Sequence, residues 1–304
     1  MSKALRKIKR QKYILLMLAP ALILTIVFSY IPLSGWIMAF TRYQVGFSMF
    51  SGDWTGLHQF TKFFRESTDI WYLLRNTLGI NILSIVATLT SALILALLLK
   101  EVVWKPGAKI VQTITFFPFF VSWVITYSIV WGLFSVNSGV VNQLLVSAGI
   151  LDKGINIMGS PQYSWTLMIF LNMWKSMGYN CVIFLAALSG IPQEQYESAS
   201  IDGAGRFSKV LYITLPHLVP TIAVLLVLNS GWVFNSNLEQ FFIFTNPTNW
   251  PTMEVIDMYI YRFGLKLLDF SYATAVGIMK TVISLIMLIT VNKLVKKLSG
   301  TGVF

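Results

Sequence analysis

Charge is what this sequence has least of. Only 12% of its 304 residues are Asp, Glu, Lys or Arg, about half the ~25% of an ordinary soluble domain. With 56% hydrophobic residues and a mean hydropathy of +0.69, that deficit excludes a chain solvated mainly by water. Cysteine occurs once, as Cys181, which excludes an intrachain disulfide; inside an apolar run it reads as a small buried hydrophobe. The two histidines, His58 and His217, stand far apart, and neither HExxH nor CxxC occurs. The sequence therefore offers no metal site and no catalytic constellation. A phosphate-cradling G-x-x-x-x-G-K-[ST] is also absent, so the chain cannot itself hold ATP. Internal repeats and low-complexity tracts are missing too, which leaves a single domain over residues 1–304.

What is present is a series of long apolar runs. A membrane span needs about 20 largely apolar residues, and six segments qualify: 13–34, 78–99, 110–134, 163–188, 217–238 and 271–292. The first follows KALRKIKRQK, which resembles the basic start of a signal peptide. Its apolar run, however, outlasts the roughly 7–15 residues of a signal core and leads to no cleavage site, so it reads as a retained span. The expectation is an all-α, six-helix, multi-pass membrane protein. Trp54, Trp71, Trp165, Trp250, Tyr259 and Tyr261 fall near span boundaries, as interfacial belt residues do. The mixed polar and aromatic stretch 51–64 suits a structured cap.

The net charge of +11 would suggest nucleic acid in a soluble protein; here the test is its sidedness. With the N-terminus inside, the inner segments hold fourteen Lys and Arg and the outer connections (35–77, 135–162 and 239–270) hold seven. Eight acidic residues lie outside and four inside. This bias puts both termini and the 189–216 loop on the cytoplasmic side, and no nucleic acid is expected.

That loop is the most polar interruption of the apolar pattern. In EQYESASIDGAGRFSKVLYITLPHL (194–218), Pro192 opens a short helix from Gln193 to Ile201. Asp202-Gly203 is a turn signal, the glycine permitting φ > 0. A second helix runs from Ala204 to about Tyr212, and Pro216 suits the first turn of the next span. Glu197, Ser198 and Ala199, then Gly203, then Ile213, Leu215 and Pro216 resemble the EAA loop of binding-protein-dependent ABC importer permeases. The family pattern is Glu-Ala-Ala, three residues, Gly, nine residues, Ile-x-Leu-Pro, and Ser198 is the one departure from it. The resemblance implies that Glu197, Ser198, Ala199, Asp202, Gly203, Ala204, Ile213, Leu215 and Pro216 grip a separate ATPase. LAPALILTIVFSYIPLSGWIMAFTRY (18–43), NTLGINILSIVATLTSALILALLL (76–99), TFFPFFVSWVITYSIVWGLF (115–134) and NMWKSMGYNCVIFLAALSGIP (172–192) resemble spans of the carbohydrate-uptake members, including the alginate-importer type. Membership implies the bacterial cytoplasmic membrane and a type I permease fold paired with a second six-span permease in a heterodimer. It further implies two ATPases carrying ATP and Mg, with no cofactor on this chain, and a solute-binding protein that delivers an oligosaccharide from outside.

Polar groups at membrane depth are costly and default to functional hypotheses. Asn172, Lys175 and Tyr179 share a helical face in span four, and Asn229, Trp232 and Asn235 line span five, with Glu239 near its outer end; Lys280 sits within span six. Aromatic faces with amide hydrogen-bonders are what a sugar ring needs, although interhelical amide bonding is also ordinary glue in bundles. If Lys175 and Lys280 both face the cavity, an acidic saccharide becomes the expected cargo. The alternative reading is an ion-coupled secondary transporter of a polar solute using Lys175, Lys280 and Glu239, but the inverted repeats common in such folds are not apparent.

Overall fold

The computed structural model describes residues 11–66 and 69–300. Lys3, Arg6, Lys7, Lys9 and Arg10, which contribute to the charge bias, lie outside them. The described chain is mainly helical and forms two compact units: its residues up to 66 with 260–279, and those from 69 to 259 with 280–300.

In the first unit, helix α1 (Lys12–Thr25) continues as a π turn (Ile26–Tyr30) and a 3-10 segment (Ile31–Phe40). The expected span ended at residue 34. Pro32 cannot donate to the carbonyl four residues back, and the helix changes pitch around it instead of stopping. No residue of α1 is buried. Strands β1 (Thr41–Arg42) and β2 (Asp53–Trp54) pair antiparallel, with Thr41 opposite Trp54. Phe40 stacks on Trp54 at 5.7 Å, and the short helix α2 (His58–Glu66) follows. Lys62 pairs with Asp269 at 3.2 Å, and the Tyr43 N–H donates to Ser271 Oγ at 2.9 Å.

The second unit is built on helices α3 (Ile70–Glu101) and α7 (Pro161–Ser189), which pack along one another. Small residues allow the close approach. A Cβ on Gly79 would lie 2.3 Å from the Trp165 ring, and one on Gly178 would lie 2.1 Å from the Thr115 carbonyl of α4 (Lys105–Phe116). Helix α4 runs through a 3-10 turn (Phe117–Phe120) to α5 (Trp123–Phe134). The two arms of this segment are bent by 108°, so the expected span over 110–134 carries a sharp break. Pro118 interrupts the helical hydrogen bonding, and Ser122 starts a new helix by accepting the Ile125 N–H at 3.3 Å.

Helix α6 (Val140–Ser147) precedes α7; α8 (Gln193–Ile201) and α9 (Arg206–Lys209) follow it. Helix α9 runs through a π turn (Val210–Thr214) directly into α10 (Leu215–Ser230). The expected fifth span therefore begins earlier than residue 217 and ends at Ser230 rather than 238. A turn at 231–237 then leads to α11 (Leu238–Phe244), whose N-cap Asn237 accepts the Gln240 N–H at 3.3 Å. A Cβ on Gly231 would meet only the Cδ1 end of Leu288, at 2.6 Å. Helices α12 (Trp250–Met253), α13 (Ile256–Tyr261) and α14 (Phe270–Ser299) complete the order, with a π turn at Arg262–Lys266 after α13.

Among the described residues, four helical segments are long and apolar enough to cross a membrane: Lys12–Phe40, Ile70–Glu101, Arg206–Ser230 and Phe270–Leu298. The bent pair Lys105–Phe120 and Trp123–Phe134 would make a fifth. Helix α7, at 29 residues, has the length but carries polar side chains along its middle.

Candidate functional site

Two apolar clusters flank a polar layer in the second unit. One contains Ile80 of α3, Leu167 to Leu171 of α7, and Phe241 and Phe244 of α11. The other contains Leu89 to Leu99 of α3, Cys181 to Leu188 of α7, and Leu218 and Leu225 of α10. Between them, about halfway along α3 and α7, lies a cavity of about 230 Å³. It gathers Asn172, Tyr179, Asn229, Trp232 and Asn235, five of the seven residues expected to line a pathway. Asn81, Ser84, Thr88, Asn180, Asn237 and Gln240 join them. Those on α3 gave little local signal, because single hydroxyls and amides scarcely alter an apolar run.

Only Asn229 of the span-five group is helical; Trp232 and Asn235 occupy the turn beyond Ser230. Trp232 is 69% exposed. Tyr179 stacks on Phe119 at 4.7 Å, giving the cavity an aromatic wall. Asn81 Nδ2 donates to the Val233 carbonyl at 2.8 Å and to Ser236 Oγ at 2.9 Å, which pins the turn to α3. Two buried lining oxygens, Ser84 Oγ and Gln240 Oε1, have no hydrogen-bond partner among the described residues. Such a buried group costs about 1–3 kcal/mol when unpaired, so both favour a hydroxylated visitor or water.

Lys175 and Lys280 do not line this cavity. Buried Lys175 donates to the Pro118 carbonyl at 3.2 Å and to the Val121 carbonyl, and lies 4.9 Å from the Trp123 ring centroid. The Pro118 carbonyl also accepts the Val121 N–H at 3.2 Å, so the ammonium adds a second donor there and ties α7 to the backbone of the bend between α4 and α5. Lys280 is held 2.5 Å from Asp257 Oδ1, and Asp257 Oδ2 accepts the Ser236 N–H at 2.7 Å. Lys280 therefore acts on the cavity turn through Asp257.

The 193–216 segment forms a protrusion. Gly203 has φ +76°. The Ala204 N–H donates to the Ala199 carbonyl at 2.8 Å and the Gly203 N–H to the Ser200 carbonyl at 3.1 Å, so α8 ends in a Schellman motif. Nothing lies within 4 Å of a Cβ placed on Gly203; the glycine is required for backbone conformation, not space. Glu197, Ser198, Asp202, Gly203 and Pro216 are exposed, while Ala199, Ala204, Ile213 and Leu215 are half-buried. Ile213 packs on the second apolar cluster. Tyr196 anchors the base, accepting from Lys100 Nζ at 2.5 Å and bonding Thr214 Oγ1 at 2.9 Å. Across the corner, Lys209 Nζ donates to Ser200 Oγ at 2.6 Å. The sequence reading overlooked the apolar tip: Ile201 and Phe207 are 88% and 93% exposed.

Residues 88–300 match the family described as binding-protein-dependent transport system inner membrane component. The chain belongs to that family. It is a non-catalytic membrane subunit with the type I ABC permease fold. Protein LplB of Bacillus subtilis is 37% identical over 98% of this chain and 92% of its own length. The polygalacturonan/rhamnogalacturonan transport system permease protein YteP of the same organism is 36% identical over 99% and 93%. Among solved structures, a chain of a bacterial alginate ABC transporter, crystallised with alginate pentasaccharide-bound periplasmic protein, superposes with a TM-score of 0.89. That chain is 35% identical, and the match covers 99% of this chain and 100% of that one.

Proposed function

We propose that this permease subunit passes an oligosaccharide through the amide-lined cavity, in an ATP-driven importer supplied by an extracytoplasmic solute-binding protein. The relatives' polygalacturonan and alginate cargoes support a saccharide, and the cavity chemistry agrees. Amides and hydroxyls pair with sugar hydroxyls, while the Tyr179 and Trp232 rings offer faces to stack on. We also propose six spans with both termini cytoplasmic, a second permease as heterodimeric partner, and two separate ATPases that carry ATP and Mg. Acidic cargo is not a requirement of this cavity, since neither Lys175 nor Lys280 faces it.

The observation that carries this reading is continuity. The second half of the protrusion and α10 form one helix, Arg206–Ser230, and Asn229 in its last turn lines the cavity. An ATPase that grips Glu197, Ser198, Ala199, Asp202, Gly203 and Ala204 would hold a lever that ends at the cargo. Ile213, Leu215 and Pro216 lie along that lever. ATP-driven closure would draw two such protrusions together and open the cavity outward. An ion-coupled transporter fits less well: the lysines it would use are committed to backbone carbonyls and to Asp257.

The test uses the reconstituted transporter. Glu197→Ala removes a carboxylate able to form a charge-assisted bond worth about 1.5–3 kcal/mol. Gly203→Val puts a β-branched side chain where φ is positive. Both variants are expected to insert and assemble with the second permease, but to lose substrate-stimulated ATP hydrolysis and uptake. Normal uptake in both would show that the protrusion does not couple.

A further inference from the structure

A second and larger cavity lies one short helix away from the first. Its volume is about 590 Å³, within the ~300–1,000 Å³ usual for small-molecule sites. The end of α5 supplies Tyr127, Trp131 and Phe134, the turn after it supplies Asn137, and the end of α11 supplies Phe244 and Thr245. Most of these walls come from the 135–162 and 239–270 connections, on the side that the charge bias makes extracytoplasmic, while Tyr127, Trp131 and Phe134 come from the outer part of the third span. Tyr127 stacks on Trp131 at 6.2 Å, and Phe244 meets Tyr127 edge-on at 5.1 Å. Trp131 is nonetheless 53% exposed, so its ring is open to a visitor. Asn137 is exposed and, among the described residues, makes no hydrogen bond to the protein. No Lys, Arg, His, Asp or Glu lines the space.

The walls are fixed in advance. Buried Asn142 donates to the carbonyls of Phe134, Ser135 and Ile155 at 3.0–3.1 Å and accepts the Ile155 N–H at 3.0 Å. On the other side, buried Asn249 donates to the carbonyls of Met158 and Phe244 at 3.2 and 3.1 Å, and accepts the Asn246 N–H at 2.8 Å. Each buried amide locks two loop segments together, so a visitor meets a formed surface and loses little to ordering it.

Helix α11 lies between the two cavities. Asn237 and Gln240 line the first, and Ile243 to Thr245 line the second. Its seven residues span about 10 Å at ~1.5 Å per residue. Both cavities combine aromatic faces with uncharged amides and hydroxyls. We infer that the outer cavity is a second saccharide-binding station, occupied together with the amide cavity by one extended oligosaccharide. Chain length is then read by the distance between the stations. This inference rests on the oligosaccharide reading above.

The test compares uptake of a galacturonate disaccharide and hexasaccharide by the reconstituted complex with its binding protein. Trp131→Ala should raise the half-saturating concentration of the hexasaccharide roughly three- to tenfold, the value of one aromatic contact. The disaccharide value should change less than about twofold on the same scale. Trp131→Phe, which keeps a stacking face, should restore the hexasaccharide value, whereas Trp232→Ala should penalise both sugars. Equal losses for both lengths with Trp131→Ala, or no loss for either, would overturn the second station and leave the proposed function standing. Weaker capture of the binding protein without length dependence would overturn it in favour of a protein-docking surface. If wild-type complex takes up no oligosaccharide from a uronate or arabinose series, the proposed function itself fails, and this inference with it.

Discussion

A lysine inside an apolar helix invites a functional reading, and its partners show what it does. Lys280 and Asp257 are both partly buried at 2.5 Å, and Asp257 also holds the Ser236 N–H. Removing one member of such a pair strands the other, a cost of about 3–5 kcal/mol when burial is complete and less here. Lys280→Met is therefore expected to lower the melting temperature of the purified complex. It should also reduce uptake of neutral and anionic oligosaccharides by the same factor. Adding Asp257→Asn should recover part of the stability, because the stranded carboxylate is gone. A selective loss for the anionic sugar, without recovery in the double variant, would mean that Lys280 contacts cargo.

At the scale of elements, glycines set how closely the helices approach. Gly178 is the point where α7 touches the α4 backbone, and a Cβ there would fall 2.1 Å from the Thr115 carbonyl and 2.6 Å from Phe116 Cα. Backbone cannot rotate out of the way as a side-chain end can, so Gly178→Ala must separate the helices. Overpacking of this kind costs about 1–3 kcal/mol. It would also shift Phe116 and Phe119, whose rings stack on Tyr179 at the cavity wall. The expected outcome is a destabilised complex with weakened sugar affinity, measured by thermal unfolding and uptake. At Gly132, within α5 and with nothing within 4 Å of a Cβ, the same substitution should stabilise by up to about 1 kcal/mol, which separates close packing from helix propensity. An unchanged melting temperature for Gly178→Ala would show that α4 is not held by this contact.

At the scale of the whole molecule, the orientation is open to direct measurement. Cys181 is buried, and a Cys181→Ser background leaves no other thiol. Cysteines at exposed Ser138 and Thr248 should then react with an impermeant thiol reagent added to intact cells, and one at exposed Ser208 only after the cells are opened. The reverse pattern would invert the protein and remove the protrusion from any cytoplasmic ATPase. Asn249, although close to Thr248 in sequence, is buried beneath the outer cavity and would give no answer.

Local chemistry alone carried much of this protein. Apolar runs too long for a soluble domain made it a membrane chain. The order Glu197, Gly203, Pro216 announced a helix, a corner and a second helix, because a Schellman turn and a proline in a first turn are decided by neighbouring residues. Hydropathy is just as local, and there it misled. It gave no sign of the bend within 110–134 and carried the fifth span to residue 238. The bend at Val121 and the break at Ser230 are held by distant partners: Lys175 on the Pro118 carbonyl and Asn81 on the Val233 carbonyl. Tertiary structure also decided which polar groups meet. Asn81, Asn172 and Asn229 are far apart in sequence, and they share one cavity only because α3, α7 and α10 pack with their polar levels aligned between two apolar clusters.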